Sequence, residues 1–307
     1  MKLTQTDTRR LLDTRGQVLV VFVLFLVVLV GMAAVAIDVG NVYLHQAKLQ
    51  AAVDAGALAG ARDLEQGDAA SQAQTVADQL ATTNVADGSY TATASGVQVS
   101  MTGKETVPTF LAGLFGIKDW HITVNATANY LPLYGASGIM PFAVTQNTIN
   151  SATPGSGTQV ALTVNSESAG NWGYLALNGT GASVLDNNIM YGATGNFYVG
   201  ESLATKTGKN VGPVSSAIDY RINEDSSIKG CDSYTTAQGG CPGVVTVPIV
   251  EGFGHGTSSP VTVLGFAEFY LAGYDNGAVG YFITTLTNGS GSTKAPKAGG
   301  YALGLAP

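Results

Sequence analysis

Every position from Val18 to Val30 is Val, Leu or Phe, and after a patch of small residues the apolar run continues to Ile37. These 20 residues carry no charge, and 15 of them are Val, Leu, Ile or Phe. As a helix they span roughly 30 Å, the thickness of a bilayer's hydrocarbon core. Insertion of the 15 large apolar residues contributes on the order of −5 to −9 kcal/mol. The pattern then changes without a break. Residues 42–66 are dominated by Ala, Gln, Leu, Lys and Arg, good helix formers, and no proline appears between Asp38 and Pro108. At 100° per residue Val42, Leu49, Val53, Gly56 and Gly60 fall along one line. The pattern predicts one helix from Val18 to Gln66, on the order of 70 Å long. Gly56 and Gly60 have the small-xxx-small spacing that lets helix backbones approach closely. The stripe packs either on the protein's own globular part or on the helices of other subunits. A second helix is predicted over Ala70 to Thr83, after the Gly67 break.

Beyond the helices the period drops to two. Thr91 to Met101 reads as a strand, Thr106 to Gly116 as a short amphipathic helix presenting Phe110, Leu111, Leu114 and Phe115, and Trp120 to Leu131 as a returning strand. From about Leu133, short Val/Thr/Tyr/Phe runs alternate with Gly, Asn, Ser and Pro, the mark of a β-rich domain. Strands are predicted at Val160–Val164, Tyr174–Leu177, Phe197–Val199, Val244–Val250, Val261–Leu271 and Val279–Leu286. Pro248 makes one of these an edge or bent strand, and Pro213 opens a helix. From Asn288 the Gly/Ser/Lys/Pro composition reads as a flexible tail.

Charge gives the apolar run a direction. Arg9, Arg10 and Arg15 precede it and Asp38 follows it, so the positive-inside bias places the N-terminus in the cytoplasm and the bulk outside. A cleavable secretory signal is the competitor, because Ala34-Val35-Ala36 has the small-x-small form of a cleavage site. Against it stands the length of the run, since a signal's apolar core covers about 7–15 residues. Of the 14 basic residues four lie before the run, and of the 21 acidic residues only two. The remainder is acidic with no basic cluster, which argues against a nucleic-acid partner.

The ordered string Arg15-Gly16, Val18 to Ile37, Asp38-Val39-Gly40 and Leu49 to Ala59 resembles the N-terminal segment of the Tad (tight adherence) Flp pilus-assembly proteins of the TadE/TadG-like group. The resemblance covers about 45 residues and implies a membrane-anchored component of pilus machinery with a helix of the pilin type. Pilins cut by prepilin peptidase carry a glutamate five residues past the processing glycine. Counted from Gly16 that position holds Val21, so the resemblance implies anchoring more than processing and polymerisation. The strand, short helix and strand over 91–131 also resemble this group and imply a small α+β head.

Candidate chemistry is sparse. Cys231 and Cys241 form a lone pair on the outer side, where a disulfide is the natural reading and zinc a rival without a nearby His or second Cys pair. His45 and His121 are expected to face solvent or a partner. His255 with Ser258 or Ser259 lacks the Gly-x-Ser-x-Gly elbow of a hydrolase. Glu201, Asp219, Glu251 and Glu268 form no motif, and Asp186-Asn187-Asn188 and Asn223-Glu224-Asp225 lack the spacing of a calcium loop. No catalytic, cofactor-binding or metal residue is assigned, no cofactor is expected, and a small-molecule ligand is disfavoured.

The expected fold class is a membrane-anchored α+β protein: a long N-terminal helix (transmembrane plus stalk), a small α+β head and a C-terminal all-β domain. Its divisions are a cytoplasmic N-terminus (1–17), a transmembrane helix (18–37), the stalk and Tad-like head (38–132), a β-rich extracytoplasmic domain (133–287) and a flexible tail (288–307). The expected role is structural and not enzymatic, in a Tad/Flp-type pilus assembly or envelope apparatus at the inner membrane. Partners are the membrane and other pilus subunits, met through the N-terminal helix. Two other roles remain open: a minor pseudopilin within the fibre, and an anchored adhesin or carbohydrate-binding module using Trp172, Tyr174, Tyr270 and Tyr274.

Overall fold

The computed structural model describes residues 14–162, 171–208, 210–253, 259–275 and 277–306. Helix α1 (Thr14–Glu65) runs for 52 residues without a proline, roughly 80 Å. It has two environments. From Val18 to Leu44 nearly every large apolar side chain is exposed, by 48% to 71%, whereas Leu49, Val53, Ala57 and Ala61 are fully buried. Gly67 (φ +90°) turns the chain, and α2 (Ala70–Asn84) returns along α1, burying Ala73, Ala77 and Ala81 at four-residue spacing.

Strands β1 (Ser89–Ser95) and β2 (Gln98–Pro108) form a hairpin around Gly96 (φ +60°), and β3 (Asp119–Ser137) pairs with β2 from Asp119 to Asn129. The helices cover one face of this sheet. Alternation supplies that face, with Val99, Met101 and Val107 of β2 and Ile122, Val124 and Ala126 of β3 turned inward. Two expectations are corrected here. Thr91 to Met101 is not one strand, because a two-residue turn divides it. Thr106 to Gly116 is not an amphipathic helix: its first three residues finish β2, Pro108 pairs with Asp119, and only a 3₁₀ turn at Ala112–Phe115 is helical. The inward Val107 prolongs the strand's two-residue period past the point where Pro108 had suggested a helix start.

The rest of the chain is sheet-rich with helices mixed in, so the expectation of an all-β domain is refined. In order come β4 (Val144–Thr145), α3 (Gln146–Ser151), β5 (Gln159–Leu162), β6 (Asn171–Leu175), α4 (Ala182–Tyr191), β7 (Asn196–Tyr198), β8 (Ser202–Leu203), β9 (Thr205–Thr207), α5 (Val211–Asp225), β10 (Val244–Val250), β11 (Val261–Tyr274), β12 (Ala278–Ile283), β13 (Thr285–Leu286), β14 (Gly289–Gly291) and β15 (Gly300–Leu305). A second sheet has the order β4-β10-β11-β12-β5, with β8 on β11. Beside Pro248, β10 is flanked on one side only by the two-residue β4, which suits a residue with no N–H to donate. The core of this part joins Phe142, Tyr174, Leu185, Ile189, Ile218, Phe269 and Phe282.

Strand β3 binds the two parts together. Its later residues pair with β15 (Ala128 to Pro132), with β14 and with β7, making a seven-stranded sheet. The expected boundary at 132/133 therefore falls inside one strand. The stretch from Asn288 is likewise not a flexible tail among the described residues. Gly/Ser composition marked it as a linker, yet Ala298 and Ala302 are buried and Tyr301 meets Tyr130 edge-on at 5.4 Å.

Candidate functional site

The long helix meets the head along a descending series of contacts. A Cβ at Gly60 would lie 2.8 Å from the Ala73 carbonyl oxygen and 3.1 Å from Val99, and one at Gly56 would lie 2.5 Å from the Met101 sulfur. One turn lower, Val53 lies against Gly103. Lower still, His45 Nδ1 and Glu105 Oε1 are 2.6 Å apart. At the bottom the Asp38 carboxylate accepts from the backbone N–H groups of Phe110 (2.9 Å), Leu111 (3.1 Å) and Ala112 (2.6 Å). As α1 numbering falls from 60 to 38, β2 and its following turn rise from 99 to 112. Strand β2 runs antiparallel to the helix, and the turn that follows it ends beside the apolar run.

This geometry reassigns several expected residues. The stripe exists, with Leu49, Val53, Gly56 and Gly60 buried and Val42 half-buried, but α2 and β2 of the same chain occupy it. It is not open to other subunits between Leu49 and Gly60. Asp38 does more than mark the end of a span: it is 4% exposed, and it closes the turn after β2. Burial pushes its carboxyl up, but the three backbone donors outweigh that and hold it below its usual value. Sequence reading missed this clamp, because a carboxylate 72 residues from its partner leaves no local signal. His45 is half-exposed and meets Glu105 of the same chain, and His121 is exposed beside Asp119 at 3.6 Å. Arg15 lies in α1, while Arg9 and Arg10 fall outside the described residues.

The remaining candidates scatter. Cys231 and Cys241 are disulfide-bonded with Cα atoms 5.4 Å apart, and inside their loop Tyr234 stacks on Tyr281 at 4.0 Å. Buried Asp225 stands beside the sulfurs, close enough for the three to form a ligand group within 4.8 Å, but bonded sulfurs are not thiolate ligands. Its Oδ1 accepts from Gly243 N–H at 2.8 Å. Asp186-Asn187-Asn188 and Asn223-Glu224-Asp225 lie in α4 and α5 rather than in loops. Glu201 caps a turn by accepting from Tyr198 N–H, Asp219 and Glu251 are exposed, and Glu268 is buried against Thr246. His255 and Ser258 fall outside the described residues, as does the side chain of Trp172. Tyr174 and Tyr270 are core residues, the former edge-on to Phe142 at 5.2 Å, which removes two of the four residues expected on an aromatic binding surface, while Tyr274 is half-buried. A polar groove of about 450 Å³ lies between the end of α1 and the C-terminal strands, lined by Arg62, Glu65, Gln238, Thr285 and Leu303.

Residues 16–63 match the family model described as putative Flp pilus-assembly TadE/G-like, which relates the chain to pilus assembly. The match covers the apolar segment, the Asp38 exit and the packed stripe, and it ends at the last turn of α1. No curated protein and no solved structure matches the chain.

Proposed function

We propose that the chain is a membrane-anchored structural component of a Tad/Flp-type pilus-assembly apparatus, with its N-terminus in the cytoplasm, its bulk outside, and no catalytic step of its own. The observation that carries this reading is the division of α1. The segment Val18–Leu44 exposes large apolar side chains on nearly every face, whereas Leu49–Ala61 buries one face against the head. A helix apolar on every face is at home only in lipid or in a protein core, and among the described residues nearly all the large apolar side chains of this segment are left uncovered. The match over residues 16–63 supports the pilus context. With the stripe occupied internally, other subunits meet this protein through Val18–Ile37 or through the head's outer surface.

The test is the intact mass and N-terminal sequence of the protein extracted from native membranes. A chain that keeps the residues before Gln17 supports the standing anchor. One beginning at Gln17 has been processed like a prepilin despite Val21 and belongs in the fibre. One beginning at Ile37 makes the apolar run a signal and overturns the reading.

A further inference from the structure

We propose that the turn joining β2 to β3, residues 109–118 with Trp120 beside it, is a second membrane contact that lies in the interfacial layer of the bilayer. This rests on the anchored reading of α1. The place of the turn follows from Asp38. That residue is the first past the apolar run, and its carboxylate holds three successive N–H groups of the turn. If Val18–Ile37 fills the hydrocarbon layer of about 30 Å, Asp38 stands at its outer boundary, and whatever Asp38 grips stands there too. Burial on this face of α1 continues one turn deeper. Ala34, one helical turn earlier on the same face, is the one buried residue among those described from Val18 to Ile37. Asp38 at this boundary is satisfied by backbone donors, so the clamp spares the lipid an uncompensated charge.

The chemistry of the turn fits that layer. Phe110 is 67% exposed, Ile117 47% and Trp120 44%, and Val39, Tyr43 and Leu44 of α1, within two helical turns after Asp38, are also exposed. Aromatic side chains concentrate at the depth of lipid headgroups, where the ring is sheltered and the polar edge stays wet. Lys118, exposed in the turn beside Asp119, provides an ammonium group for lipid phosphates, while His121 and then Lys104 lie progressively farther from the turn along the strands. The occupant is therefore a phospholipid surface. A second contact off the helix axis fixes the tilt and rotation of the stalk, which a lone helix leaves free.

The experiment uses the full chain in phosphatidylcholine and phosphatidylglycerol vesicles. The protein has two tryptophans, so Trp172→Phe leaves Trp120 as the reporter. We expect lipids brominated near the headgroup to quench Trp120 several-fold more than lipids brominated near the bilayer centre, with iodide largely excluded. A control chain with Phe25→Trp, Trp120→Phe and Trp172→Phe reports on the anchor and is expected to respond most to the deep bromines. Trp120 untouched by brominated lipid and open to iodide, with the control quenched, overturns the inference and leaves the anchor standing. An unquenched control overturns the anchor and the inference with it. The unmutated chain gives an independent check: a photoactivatable phospholipid reactive at glycerol depth should label 109–120 as well as 18–37. Adducts confined to 18–37 overturn the inference.

Discussion

Replacing Glu268 by Gln should remove a pH dependence of stability that one buried carboxyl imposes on the C-terminal sheet. Glu268 lies on β11, is 1% exposed, and accepts a 2.6 Å hydrogen bond from Thr246 across the strand pair. Desolvation pushes its carboxyl from 4.5 up to about 7, against the opposing effect of the Thr246 bond. With the folded value above the unfolded one, the folded chain holds a proton that the unfolded chain releases. The stabilisation from this group is full below about 4.5 and is lost as pH rises through about 7. At about 1.4 kcal/mol per unit, the loss is about 3 kcal/mol. The assay is urea denaturation of the full chain in detergent at about pH 5 and about pH 8, where this loss moves the midpoint by about 1 M or more. Asp63, Glu65, Asp78 and Asp225 are also pushed upward by burial, so the readout is the difference between the profiles of the native chain and the Glu268→Gln variant, in which they cancel. The variant keeps the acceptor for Thr246 and cannot ionise, so its profile should be flatter. Parallel profiles in the two chains would refute the argument.

Gly60→Leu should destabilise the head by at least 1–3 kcal/mol, roughly, and speed hydrogen exchange over 70–84, since its Cβ alone would crowd the Ala73 carbonyl at 2.8 Å. Unchanged exchange with weakened cross-linking to other subunits would instead return the stripe to an intermolecular role. Replacing Cys231 and Cys241 by Ser should cost about 3 kcal/mol from the lost restraint on so short a loop. Thermal unfolding of the variant, against the unreduced chain, measures it. Removing residues 288–307 should expose the edge of β3 and make the sheet accessible to protease at Tyr130–Ser137, whereas a loose tail would be lost without effect.

Where the signal was local, the sequence was readable. Helix α1 showed its whole length in the absence of proline and the run of helix formers, and β10 showed in a Val/Thr/Ile run interrupted only by Pro248. Helix α4 escaped because its Asp-Asn-Asn run reads as a loop, while burial of Leu185 and Ile189 and a hydrogen bond from Asn188 to the Leu177 carbonyl hold it helical. Strand β15 was missed for a different reason. Its partner lies far away in the chain, and nothing in "GYALGL" announces β3. The same distance hid the Asp38 clamp. The stripe was legible as a packing surface, but residue spacing cannot say whether the covering helix comes from the same chain or another.

Strand β15 also sets an order of events during synthesis. Its residues leave the ribosome about 170 residues after their partners on β3, by which time α1 has long been available for insertion. If export follows the anchored topology, the head waits outside the membrane as an incomplete sheet while the rest of the chain crosses. An open strand edge beside an anchored helix invites pairing with a neighbouring copy or with a chaperone. Completion of the head is thereby coupled to completion of the polypeptide, and only a chain delivered through residue 305 shields that edge.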